Sequence, residues 1–93
     1  MEQTIWKYKL TNSSRQTLFL PKGAKILTVQ VQNIEVVLWV LVNPDNETEE
    51  RIIIMFGTGN PIDTIFNEKI AYIGTFQINN GNLVYHVFEY TGF

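Results

Sequence analysis

Apolar and polar residues alternate with a period of two along most of this chain, and helical spacing is scarce. Trp6, Tyr8 and Leu10 alternate with Lys7 and Lys9. This predicts a strand over 4–10 with one apolar face and one face of solvated lysines. After the polar turn Thr11-Asn12-Ser13-Ser14, residues 16–20 read as a short strand stopped by Pro21, which has no N–H to donate. Pro21-Lys22-Gly23 predicts a turn in which the glycine takes a positive φ. Over 24–32, Leu27, Val29 and Val31 are expected on one face and Thr28, Gln30 and Gln32 on the other, with Asn33 as the turn beyond.

Two stretches abandon alternation. Val36 to Val42 is an unbroken apolar run, and Ile52 to Phe56 is apolar on both sides. A strand apolar on both faces is buried on both faces. Each run is therefore expected either at the centre of a packed sandwich or at an intersubunit surface. The loop 43–48 between them suggests that they pair as a hairpin, with Trp39 near mid-sheet. Farther on, Asp63 can cap a short helical turn near 62–67. Asn79-Asn80-Gly81-Asn82 is a strong hairpin signal between strands over 69–78 and 83–90. The expected fold is all-β: a small antiparallel sandwich or partly open barrel of about seven strands. It forms a single β domain over 1–93.

Composition adds a constraint. Of 93 residues, 45% are hydrophobic and only 17% are charged, against roughly a quarter charged in average proteins. That excess of apolar side chains on a small domain predicts a second hydrophobic surface buried against another chain, hence a homo-oligomer. Trp6, Trp39, Ile53 and Met55 are the expected interface anchors, the tryptophans because each buries a large area and carries one donor. The chain has no cysteine. This excludes disulfides and zinc–thiolate sites and favours a cytoplasmic location. Residues 1–8 lack the basic-then-apolar pattern of a signal peptide. The longest apolar run is far short of the ~20 residues of a membrane span. A net charge of −2 argues against general nucleic-acid binding.

The candidate chemistry is sparse. Gly57-Thr58-Gly59-Asn60-Pro61 has no Gly-Lys-Ser/Thr and no third glycine, so it matches neither phosphate-loop pattern. Its amides could form a small anion nest, which makes Thr58 and Asn60 candidate ligand contacts. His86 is the sole histidine. It is expected to be a strand residue hydrogen-bonded to a neighbour, with a pH-responsive contact as its functional alternative. Asp45, Glu47, Glu49 and Glu50 read as a solvated loop followed by Arg51, without the spacing of a calcium site. Arg15, Lys22 and Lys25, near Trp6, Tyr8 and Phe19, are the one group suited to a nucleotide through charge and stacking. Lysines on edge strands also deter aggregation. No catalytic residue, metal site or cofactor is expected.

Several blocks carry a resemblance: Ile5-Trp6-Lys7-Tyr8, Leu20-Pro21-Lys22-Gly23-Ala24-Lys25-Ile26-Leu27, Leu38-Trp39-Val40-Leu41-Val42-Asn43-Pro44, Gly57-Thr58-Gly59-Asn60-Pro61-Ile62, Tyr72-Ile73-Gly74-Thr75-Phe76-Gln77 and Leu83-Val84-Tyr85-His86-Val87-Phe88-Glu89. In this order, almost end to end, they resemble a family of small proteins of unknown function found in bacteriophages and in bacterial genomes with mobile elements. Asn43 departs from the acidic residue expected before the proline, which weakens a carboxylate role there. The resemblance implies a phage-type accessory protein. Three functions are open: a non-catalytic binder of a host protein, with counter-defence as its setting; an oligomeric binder or sponge for a nucleotide signal; and, least favoured, a hydrolase using Asp45, Glu50 or His86.

Overall fold

The structure, a computed structural model, describes residues 2–92. Seven strands form two antiparallel sheets: β1 (Thr4–Lys9), β2 (Arg15–Pro21), β3 (Lys25–Gln32), β4 (Glu35–Val42), β5 (Thr48–Gly57), β6 (Ile70–Ile78) and β7 (Leu83–Tyr90). The order is β1-β4-β3 in one sheet and β2-β5-β7-β6 in the other. The all-β expectation holds, and the sheets do not close into a barrel. The helical turn is also present, as a short 3₁₀ segment over Thr64–Phe66 in which the Asp63 carboxylate accepts from the Ile65 amide.

β4 and β5 do not form the expected hairpin. Each is central in a different sheet, β4 between β1 and β3, β5 between β2 and β7. Both runs are apolar on both faces and so need cover above and below: the inter-sheet core covers one face of each, and side chains from flanking strands or the crossover cover the other. The loop after β4 carries the chain between sheets. Asn43 starts it, buried, with its side-chain carbonyl accepting from the Asp45 amide at 3.1 Å.

Leu38, Val40 and Val42 of β4 meet Ile53 and Met55 of β5, Val87 of β7 and Phe76 of β6 in the core between the sheets. Ile53 is fully enclosed there. Ile53 and Met55, expected at an intersubunit surface, are thus core residues, because β5 turns them towards the other sheet. In β3 the expected facing of Leu27 also fails. A bulge between Ile26 and Thr28 shifts the register, so Ile26 packs on the core with Val29 and Val31 while Leu27 stays exposed.

The outer faces are covered from within the same chain. On the first sheet, Lys7 reaches across β4 to Gln32, and Lys9 pairs with Glu35 at 2.8 Å. Val37 lies between these links and is 1% exposed. Trp39, half-buried beside it, donates its indole N–H to Gln30 at 2.8 Å. On the second sheet, β5 and β6 are parallel, since each is antiparallel to β7. Parallel strands need a long crossover, and here residues 58–69 supply it across the outer face. Phe66 of this crossover meets Phe56 and Tyr90 edge-on, and Phe56 meets Phe88 the same way. Ile52 and Ile54 are buried beneath. The second apolar layer inferred from composition exists, and this chain's own crossover, not another copy, covers much of it.

One side of the sandwich is closed and the other open. At the β3–β6 side the two bulged strands approach closely. A Cβ on Gly74 would sit 2.8 Å from a Val29 methyl, so the glycine makes the corner possible. β1 and β2 are the edges at the other side. There Trp6 is 41% exposed, because an edge strand lacks the neighbour that would enclose its inward-facing side chain.

Candidate functional site

The outer face of the β2-β5-β7-β6 sheet gathers most of the sequence-predicted contacts. Register places Arg15 opposite Ile54 and His86 opposite Phe56, so both lie on this face. The crossover begins over the same face. A depression of about 370 Å³ opens where it leaves β5, lined by Arg15, Phe56, Asn60, Phe66 and Tyr85. The guanidinium carbon of Arg15 lies 5.6 Å from the centroid of the Tyr90 ring, a cation–π arrangement. The Asn60 amide donates to the Gly57 carbonyl at 3.1 Å. Its side chain folds back so closely that a Cβ on Gly57 would lie 2.8 Å from Asn60 Nδ2. The absent side chain at 57 is what leaves room for the Asn60 side chain in this position.

Beside the depression runs a row of hydroxyl and imidazole groups. Thr58 Oγ1 meets His86 Nε2 at 2.7 Å, His86 Nδ1 meets Thr75 Oγ1 at 3.0 Å, and Thr75 is bonded in turn to the Tyr72 hydroxyl. His86 is a strand histidine bonded to neighbours, as its sequence context predicts. Both its ring nitrogens meet threonine hydroxyls. The carboxylate that orients the imidazole of a nucleophile–base–acid triad does not hold either position.

Lys22 and Lys25 stand elsewhere. They flank the β2–β3 turn at the opposite end of β2 from Arg15. That end is held by a clasp: Arg51 pairs in bidentate fashion with Glu89 and donates to the Ala24 carbonyl at 2.9 Å. Glu49 accepts from the Gly23 amide at 3.2 Å. Hydrogen bonding to Glu89 holds the Arg51 pKa above its ordinary value. The expected basic group is therefore divided, and only Arg15 joins the depression. The acidic cluster is divided too, since Glu49 serves the clasp. Among the described residues no group of three or more His, Cys, Asp and Glu could hold a metal ion.

A second cavity of about 330 Å³ opens at one end of the sandwich, between Val36, Phe76 and Ile78 and capped by Thr11 and Asn12. Met55 and Tyr85 line both hollows. Phe56, Phe66, Tyr85, Thr75 and Tyr72 also belong to the site, and the sequence pattern does not single them out. Thr75 had a usable signal: with the Asn-Gly turn fixed, counting back along both strands sets Thr75 opposite His86.

These features define a small two-sheet β domain carrying an aromatic and polar depression under a crossover loop. A model of the family described as Domain of unknown function (DUF7352) matches residues 1–92, and the chain belongs to that family. No curated protein and no solved structure matches it. No helix among the described residues is long and apolar enough to cross a membrane.

Proposed function

We propose that this domain is a non-catalytic binding protein whose ligand is a small planar anion of the nucleotide type, seated in the depression between β2 and the crossover. One observation carries the reading: Arg15 and Asn60, far apart in sequence, line one hollow with Phe56, Phe66 and Tyr85. A cation, an amide and aromatic walls are the groups that hold a phosphate and a base together. The hollow is of the size small-ligand sites occupy, at the lower end of roughly 300–1,000 Å³. The resemblance to phage and mobile-element proteins supports a setting in the host cytoplasm, where capture of a nucleotide signal would serve counter-defence. The same reading includes association with further copies of the chain.

Thermal denaturation with a panel of mono-, di- and cyclic nucleotides tests this. A ligand at 100 times its dissociation constant adds about 2.7 kcal/mol of stability. Arg15→Ala should remove that stabilisation while leaving the unliganded melting temperature nearly unchanged. A panel without any shift would sink the nucleotide reading. It would leave capture of a host protein, a reading favoured by Phe19 and Tyr72, which stand exposed on this sheet. Immobilised protein should then retain one defined host polypeptide, and Phe19→Ser should release it.

A further inference from the structure

The four sheet edges are not treated alike. β1 carries Lys7 and Lys9, charges that deter an approaching strand. β3 and β6 are each bulged and face one another at the closed corner. β2 has no lysine and no bulge, and its register against β5 runs without a shift from Arg15 to Pro21. Natural sheets blunt the edges that must stay unpaired. β2 carries a charge and a proline only at its two ends, Arg15 and Pro21, and an edge left flat between them, beside three that are guarded, is one kept for pairing.

Its free groups can be assigned. Met55 donates to the Ser14 carbonyl and Lys22 to the Glu47 carbonyl. Since bonding alternates along an antiparallel pair, Gln16, Leu18 and Leu20 also bond to β5, while Arg15, Thr17 and Phe19 point their N–H and C=O groups outward. Pro21 falls in the outward set, where its missing N–H costs the existing ladder nothing.

We infer that β2 pairs antiparallel with β2 of a second copy about a two-fold axis at Thr17, joining the two four-stranded sheets into one. The occupant follows from self-complementarity. Thr17 faces Thr17 of the second copy, and Arg15 faces Phe19 of the second copy in both directions. This register uses all three outward donors of each strand. Moving the axis one pleat repeat towards Pro21, to Phe19, would oppose the proline to Thr17 and leave the Thr17 carbonyl without a donor on each side. In the chosen register no like charges meet. Threonine pairs with threonine, and a guanidinium comes beside a ring that is 60% exposed in the single copy.

The inference rests on the self-association included in the proposed function, and the test separates the two. Light scattering on the intact protein should give twice the 10.8 kDa of one copy. Thr17→Lys, at an exposed position, would set two lysines face to face and should raise the dissociation constant at least tenfold with an unchanged circular dichroism spectrum. Because the chain has no cysteine, single cysteines report the register. The paired Cα atoms at the axis lie about 5.5 Å apart, within disulfide reach. Thr17→Cys should therefore oxidise to a covalent dimer at least tenfold faster than Phe19→Cys or Lys7→Cys. A monomer at 200 µM (about 2 mg/ml, from a mass of order 10 kDa) overturns both the inference and the self-association. A dimer that survives Thr17→Lys, or that cross-links faster through Lys7→Cys, overturns the β2 assignment and leaves self-association standing.

Discussion

At the scale of single residues, the Arg51–Glu89 clasp is the most sensitive point outside the apolar core. Both side chains are less than one-fifth exposed, and Arg51 also holds the Ala24 carbonyl. Removing one partner leaves a charge largely cut off from water, which costs about 3 kcal/mol. Glu89→Gln should lower stability by that order in urea denaturation, whereas the exposed Glu50→Gln should change it by less than about 0.5 kcal/mol. Glu35 behaves differently. Its hydrogen bond and ion pair with Lys9 hold its pKa below the ordinary glutamate value. Its contribution to stability is therefore present above the unfolded-state pKa and is lost as the pH falls through the lowered folded value. An NMR titration should show Glu35 returning to the ordinary range in Lys9→Gln. At Gly74 the obstacle to a side chain is a Val29 methyl, with the Val29 backbone nitrogen 3.7 Å away. Gly74→Ala should force the two sheets apart at the closed corner, and faster amide exchange in β3 than in the parent protein would report it.

At the scale of elements, the crossover over residues 58–69 matters most. A strand order that places β7 between β5 and β6 obliges the chain to travel back along the outer face. That path lets a twelve-residue connection act as a second wall. Phe66 is its anchor, edge-on to both Phe56 and Tyr90. Phe66, half-buried, should on replacement by alanine cost about 1–2 kcal/mol, and Phe66→Ala should raise binding of an apolar dye, because Ile52 and Ile54 lose their cover. The loss should fall on the crossover first: amides of 58–69 should lose exchange protection while those of β4 keep theirs. The asymmetry of the edges belongs to this scale too, with lysines on β1, bulges on β3 and β6, and neither on β2.

At the scale of the whole molecule, the depression and the β2 edge are neighbours that share Arg15. The proposed ligand site and the proposed pairing edge both use this residue, so the two should be linked. A ligand that draws the guanidinium into the depression should alter the dimer dissociation constant, and by reciprocity dimerisation should alter ligand affinity by the same factor. Gly57→Ala separates site from fold. The obstruction it meets is the end of the Asn60 side chain, 2.8 Å away, and not the backbone. The variant should fold with nearly parental stability and lose nucleotide-induced stabilisation in the thermal assay.

Much of this molecule is determined by short-range pattern. Period-two alternation, the Asn-Gly turn, the Asp63 cap and the two doubly apolar runs specify the strands, the last hairpin and the need to bury both faces of β4 and β5, because side-chain direction and turn conformation are local properties of the backbone. Three things were decided only by tertiary structure. Strand order put β4 and β5 in separate sheets, each flanked by two strands, a choice that pairing of the two apolar runs would have satisfied equally well locally. A one-residue bulge in β3 reversed the facing of Leu27 and Ile26, and alternation carries no signal for such an insertion. The crossover brought Asn60 and Phe66 to Arg15 and took Lys22 and Lys25 out of the site. Which loop crosses which face depends on the order of all the strands at once, and no local stretch of residues encodes that order.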